Sequence, residues 1–279
     1  MADPGVDPHR ELLDLARRIA TEAGAMAARL RSEGVEVAAS KSSREDIVTF
    51  ADRAVEDFIR AELSAARPDD GFLGEESTDV STTGTSGLTW VVDPIDGTVN
   101  YLYGIPAYNV SIAVVEGDPQ PATWTTLAGC VVNPVVGEVF TASLGHGAYL
   151  GTSRLQLSAG TELSQALVAT GFGYSAEVRR KQGLLLAGLI SQVRDVRRIG
   201  AAALDLCYLG AGRLDAYFER GLQPWDHAAG ALIAREAGAY VAGLDGAPAS
   251  ADFILAAEPG LAAELEPILK RLSVEVGLP

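Results

Sequence analysis

The chain has 279 residues, enough for one large domain or two modest ones, and 48% of them are hydrophobic, which supports a sizeable core. Its 22 basic residues stand against 37 acidic ones, and the net charge of −15 opposes nucleic acid or an anionic membrane as partner while favouring a cationic one, metal or protein. Two cysteines, Cys130 and Cys207, far apart in apolar surroundings, argue against a disulfide framework and for a reducing compartment.

The opening MADPGVDPHRELLDLARRIATEAG has no basic region followed by an apolar core, so no signal peptide is expected. An apolar run of about 20 residues suited to a bilayer is also missing, and a cytoplasmic location with no membrane partner is predicted. Leu12, Leu15, Ile19, Ala23, Met26 and Leu30 recur at helical spacing and predict an amphipathic helix over residues 9 to 32. After the polar stretch KSSRED, which begins at Lys41, Thr49 and Asp52 have capping-box spacing. A second helix follows, with Ala51, Val55, Phe58, Ile59 and Leu63 facing inward.

RPDDG at residues 67–71 is turn chemistry, and Phe72-Leu73-Gly74 leads into Glu75-Glu76. STDVSTTGTSG then reads as a flexible surface loop. Strands are predicted over residues 89–92, 109–115, 126–132 and 137–141, several rich in β-branched residues. Further on, residues 184–193 and 201–209 read as helices and 213–218 as a strand. Asp226 opens a small-residue helix that Gly238 is placed to end. A boundary near Gly151 would divide the chain into an α+β half, 1–150, and an α/β half, 151–279, packed as one body.

In WVVDPIDGTVNYLYG, a buried-looking strand runs into Asp93 and Asp96. Asp-Pro and Asp-Gly are both turn dipeptides, so a plain turn is one reading. Yet carboxylates at the end of a buried strand are costly unless a cation or dense hydrogen bonding meets them. Gly97-Thr98-Val99-Asn100 can begin a helix whose backbone N–H groups suit a phosphate. A hard divalent cation bridging acids to a phosphate oxygen reconciles the two halves. Mg2+ fits best, because His9, His146 and His227 are scattered and no cysteine cluster favours zinc.

DPIDGTVN, with GEES at residues 74–77 and PWDHAAGALIAREAGA at 224–239, resembles the inositol monophosphatase family of Mg2+-dependent, lithium-sensitive phosphatases. KSSREDIVTFAD and RRIGAAALDLCYLGAGRLDAYFE extend the resemblance over nearly the whole chain. It implies an α/β (α+β) fold, a layered αβαβα sandwich, commonly assembled as a homodimer. It implies that Glu75, Asp93 and the carbonyl of Ile95 hold one metal, that Asp93, Asp96 and Asp226 hold a second, and that Glu75 touches a third, weaker ion. Asp52 and Thr98 would orient the attacking water, and Gly97 and Thr98 would offer N–H groups to the phosphate. Glu219 and the backbone of Ala202 would meet the inositol ring, with Asp226 beside them, while Ala201 stands where many relatives carry Ser or Thr.

Charge counting fits this set, since Glu75, Asp93, Asp96 and Asp226 balance two Mg2+ ions and leave the phosphate for a third ion, Lys41 or the helix terminus. The implied reaction is in-line hydrolysis of a small phosphate monoester by a metal-activated water, without a protein nucleophile. Inositol 1-phosphate leads the substrates; histidinol phosphate, fructose 1,6-bisphosphate and 3′-phosphoadenosine phosphates are alternatives within the same chemistry. A non-catalytic regulatory protein on this fold is the reading from another class. Residues 35–46, which include Lys41, are expected to act as a flap, and the site is expected between the two halves.

Overall fold

A computed structural model of the chain describes residues 7–34, 37–40, 47–77 and 84–278. The first apolar stripe forms α1 (Arg10–Glu33), which buries Ile19 and the small Ala16, Ala20, Ala23 and Ala27. Two short strands, β1 (Val37–Ser40) and β2 (Ile47–Thr49), pair antiparallel and lead into α2 (Phe50–Ala66). That helix buries the expected Ala51, Val55, Ile59 and Leu63, and also two carboxylates, Asp52 and Glu56.

Seven strands then form one sheet in sequence order: β3 (Gly71–Gly74), β4 (Leu88–Asp96), β5 (Asn109–Glu116), β6 (Thr125–Asn133), β7 (Glu138–Ser143), β8 (Gly147–Leu150) and β9 (Ser153–Arg154). Only β3 and β4 run parallel. The short α3 (Thr98–Tyr103) interrupts the series between β4 and β5. A five-stranded sheet is built from β10 (Leu167–Thr170), β11 (Asp195–Arg197), β12 (Ala216–Glu219), β13 (Tyr240–Ala242) and β14 (Ile254–Ala257), in the order β11-β10-β12-β14-β13. The remaining helices are α4 (Ala176–Leu189), α5 (Ala202–Gly210), α6 (Pro224–Glu236) and α7 (Pro259–Val276).

The two-residue period of the strands divides the core into layers. On β4 and β5, Trp90, Val92, Val110, Ile112 and Val114 pack against α1 and α2. Their neighbours Val91, Ala113 and Val115 point the other way, onto Ala203, Leu204, Cys207, Ala229, Leu232 and Ile233 of α5 and α6. Those two helices meet the second sheet through their opposite faces, with Leu206, Leu209 and Ala231 against Ala169, Tyr217 and Ala256. Beyond that sheet, α4 and α7 cover Val168, Phe218 and Leu255. The stack is therefore helix, sheet, helix, sheet, helix, the expected αβαβα order.

Four local expectations need correction. The strand predicted to stop at Val92 continues through Asp96, with a register shift between Asp93 and Asp96, because β5 supplies partners that far and pairs Asp96 with Asn109. The helix expected over 184–193 runs from Ala176 to Leu189; its first turns carry the polar EVRRKQ, which gave no apolar stripe. The strand expected from residue 213 is shorter, Ala216–Glu219, since the Arg213 side chain reaches back to Glu138 and lies over the Tyr208 ring at 4.9 Å. Asp226 is the third residue of α6, which begins at Pro224. Lys41, most of the expected flap over 35–46, and residues 78–83 of the expected surface loop lie outside the described residues. Among the described residues no helix is long and apolar enough to cross a membrane.

Candidate active site

The end of β4 is shaped by backbone requirements. Gly97 sits at φ +89°, and a Cβ there would come within 2.9 Å of the Ala107 carbonyl, so the chain turns into α3 through a residue without a side chain. The Thr98 hydroxyl donates to the Ile95 carbonyl at 3.1 Å. Asn100 donates to the carbonyls of Ala107 at 2.7 Å and Ile199 at 2.9 Å, tying α3 to the segment before α5. Glu75 follows β3, and its N–H donates to Val92 O at 3.3 Å, which holds it beside the strand carrying Asp93.

From the other side come Ala202 at the start of α5, Glu219 at the end of β12 and Asp226 in the first turn of α6. Gln223 and Asp226 form a reciprocal capping box, with Gln223 N–H donating to the Asp226 carboxylate at 2.7 Å. A cleft of about 770 Å³ lies between these elements. Glu75, Asp93, Ile95, Asp96, Gly97, Thr98, Ala202, Glu219 and Asp226 all line it. Asp52 is not on the wall; it is buried at 1% exposure, close enough for its charge to act on Asp93.

The carboxylates burden one another. Asp93 is 1% exposed, and burial first, then the charges of Glu75, Asp96, Asp226 and Asp52, push its pKa well above the carboxylate range. Asp226 moves the same way through burial, then Glu75 and Asp96. Burial raises Asp96 to about 6, opposed by hydrogen bonds from Asn109 and the N–H groups of Ala203 and Ala202. Those donors lie at 2.8, 2.9 and 3.3 Å, so Asp96 also caps α5, and of the Ala202 backbone expected to meet the ring the N–H is turned to Asp96 by a long bond. Glu219 rises to about 7 through burial, against the Tyr217 hydroxyl, which donates at 2.7 Å, and the charge of Arg198.

Asp93 Oδ1 is buried with no hydrogen-bond partner. A buried, unanswered carboxylate oxygen surrounded by other carboxylates suits a hard cation, and Glu75, Asp226 and the Ile95 carbonyl supply further hard oxygens on the same wall. The side chains are not drawn into a ready-made cluster: among the described residues no group of three His, Cys, Asp or Glu is set to hold a metal.

Sequence reasoning missed Asp205, which is 1% exposed on α5, has Oδ1 without a hydrogen-bond partner, and is raised well above its ordinary pKa by burial, then by Glu219 and Asp96. A lone acid inside ALDLCYLG was the available signal. Glu56 was missed too. The paired Arg197 and Arg198 separate, with Arg197 bound to Asp195 at 2.7 Å and Arg198 on the cleft wall. Trp225 and Cys207 are core, His227 is buried beside Trp124, and the Glu76 side chain faces Arg53 at 3.7 Å.

The sequence profile of the inositol monophosphatase family matches residues 9–274. An inositol-1-monophosphatase SuhB of Mycobacterium tuberculosis is 45% identical over 290 aligned residues, covering 98% of this chain and 98% of its own. A Nus factor SuhB of Xylella fastidiosa is 43% identical over 75% of this chain and 73% of its own. The crystal structure of extragenic suppressor protein SuhB from Bartonella henselae matches with a TM-score of 0.83 at 36% identity, covering 93% of this chain and 98% of that one. Enzymes of this type are generally Mg2+-dependent phosphatases. With a family match from end to end and the same layered fold, the chain belongs to the inositol monophosphatase family.

Proposed function

We propose that the protein is a Mg2+-dependent phosphate monoester hydrolase whose main substrate is inositol 1-phosphate. The observation that carries this reading is Asp93, buried at the cleft floor with an unpartnered oxygen and four other carboxylates acting on it. Glu75, Asp93 and the Ile95 carbonyl would hold one ion, and Asp93, Asp96 and Asp226 a second. Bound there, Mg2+ supplies Lewis acidity toward the phosphate and the attacking water.

The chain's own groups do the rest. Thr98 commits its hydroxyl proton to Ile95, which leaves its lone pairs to accept from a water, and Asp52, buried close enough for its charge to act on Asp93, would help orient that water. Backbone N–H groups of Gly97 and Thr98 face the phosphate. Glu219, held by Tyr217, accepts from ring hydroxyls on the far wall, next to Ala202 and Asp226. Two to three Mg2+ ions, a contribution from Lys41, inhibition by Li+, homodimeric assembly, a cytoplasmic location and halves at 1–150 and 151–279 belong to the same reading.

The test is phosphate release by purified protein with Mg2+ or with EDTA. The panel is inositol 1-phosphate, histidinol phosphate, fructose 1,6-bisphosphate and 3′-phosphoadenosine 5′-phosphate, ranked by kcat/KM. Highest kcat/KM on inositol 1-phosphate, lost in EDTA, is expected. Turnover of none of them despite Mg2+ binding would sink the enzymatic reading and favour a second, regulatory one, which rests on the Nus factor name of the Xylella fastidiosa relative.

A further inference from the structure

We propose that Glu56 is a positioning residue. From the buried face of α2, its carboxylate grips the loop after β3 and fixes where Glu75 stands relative to Asp52. The inference rests on the function proposed above and concerns a group outside the cleft.

Glu56 lies one helical turn after Asp52, on the same face of α2, at 2% exposure. Its Oε2 accepts from the Glu76 N–H at 2.8 Å, and its Oε1 accepts from the Ser77 hydroxyl. Arg60, the next residue on that face, reaches Glu56 Oε1 at 3.5 Å and donates to the Ser77 hydroxyl. Its guanidinium lies over the Phe72 ring at 4.1 Å. The carboxylate thus holds the two residues that follow Glu75.

The residue before Glu75 is held as well. A Cβ on Gly74 would collide with Glu56 Oε2 and stand 2.7 Å from the Phe72 ring, so the loop can approach the carboxylate this closely only with glycine at that position. Glu75 is therefore flanked by Gly74 pressed against Glu56 and by Glu76 bonded to it, while its own N–H is tied to Val92. Burying a carboxylate is costly unless donors and a cation answer it. Glu56 has both, and the return is a loop whose backbone is tied to the helix that carries Asp52. Groups that hold a metal ligand from behind typically contribute about 10- to 100-fold in metal affinity or activity.

The test titrates metal-free protein with MgCl2 by calorimetry and follows the Glu76 amide by hydrogen exchange. It compares wild type with Glu56→Ala, Glu56→Gln and Gly74→Ala. Glu56→Ala is expected to weaken Mg2+ binding about 10-fold or more and to speed exchange at Glu76. Gly74→Ala should do the same while keeping a glutamate at position 56, because the added methyl forces the loop and that carboxylate apart. Glu56→Gln, which still accepts from Glu76, should recover binding to within about 3-fold of wild type. At saturating Mg2+, the KM for inositol 1-phosphate should change less than the Mg2+ requirement does.

If Glu56→Ala does not fold, Gly74→Ala and Glu56→Gln carry the comparison. Unchanged Mg2+ affinity in variants that fold, with the Glu76 amide still protected, overturns the inference and leaves the function proposal standing. A wild-type chain that binds no Mg2+ removes both.

Discussion

Replacing Glu219 by glutamine isolates one half-buried charge on the cleft wall. The wild-type carboxyl has a folded pKa of about 7 against 4.5 when free. Below pH 4.5 it is protonated in both states and the substitution should be neutral. As pH rises towards 7, the unfolded chain ionises first, so the wild type loses stability that the glutamine variant keeps. At 1.36 kcal/mol per pH unit, the difference reaches at most about 3.4 kcal/mol above pH 7. Water at the cleft wall reaches this half-buried group, and about 1–2 kcal/mol is the working figure. Thermal unfolding of metal-free protein from pH 4.5 to 8 should therefore show the variant melting with wild type at the acid end. At the alkaline end it should melt about 3–6 °C higher. Groups that Glu219 does not influence are common to both proteins and cancel, while Asp205 and Asp226, whose pKa values its charge raises, are relieved in the variant and move the difference in the same direction. The Tyr217 hydroxyl keeps an acceptor in glutamine, so packing is little disturbed. With Mg2+ present, loss of the charged acceptor should raise KM for inositol 1-phosphate about 10-fold, while p-nitrophenyl phosphate, which has no ring hydroxyls, changes less than about 3-fold. Parallel melting curves at every pH would refute the electrostatic account of this carboxyl.

Asp96→Asn must turn an NH2 group either toward the Ala202 N–H or toward both Asn109 and Ala203, and should cost about 1–3 kcal/mol in denaturant unfolding as well as lowering turnover at least about 100-fold. Near-normal activity would count against the site. Gly97→Ala combines a left-handed backbone with a 2.9 Å approach to Ala107 O and should destabilise by about 2 kcal/mol or more, read from the shift in urea midpoint. Burial pushes the Cys130 thiol up to about 12 and Cys207 well above its ordinary value, so neither should react with a thiol reagent at pH 8 until denaturant is added. Rapid labelling of the native protein would show that this part of the core opens.

Much of the site could be read from the sequence because its chemistry is local. Asp93 through Thr98 lie in one continuous stretch, and the strand, the glycine turn and the helix start all follow from residue type. Asp226 entered through the resemblance of PWDHAAGALIAREAGA to the family's motif, since the local pattern gave only a helix start. Other parts depended on contacts between distant segments. The strand β4 continues through Asp-Pro-Ile-Asp only because Asn109 on β5 pairs with Asp96. Strands such as β10, β11 and β13 have three or four residues, too few for a period to emerge. The role of Glu56 could not be read either, since a glutamate four residues after another acid on a helix ordinarily faces water. Its burial is set by the approach of Gly74 and by Ser77, neither of which the local pattern predicts.

The central helical layer also has a consequence for the order of assembly. Gly230 of α6 lies so close to α5 that a Cβ would come within 2.9 Å of Leu206, and the same helix lies against the seven-stranded sheet. Asp226 can therefore reach the cleft only after α6 has been sealed between two sheets, one of which depends on β14 near the end of the chain. A nascent or partly folded chain can display Asp93 and Asp96 without Asp226 opposite them. Such long-range closure is slow to form, so a complete set of cleft acids is expected late in folding, and the cation binding proposed above would distinguish finished molecules from those still maturing.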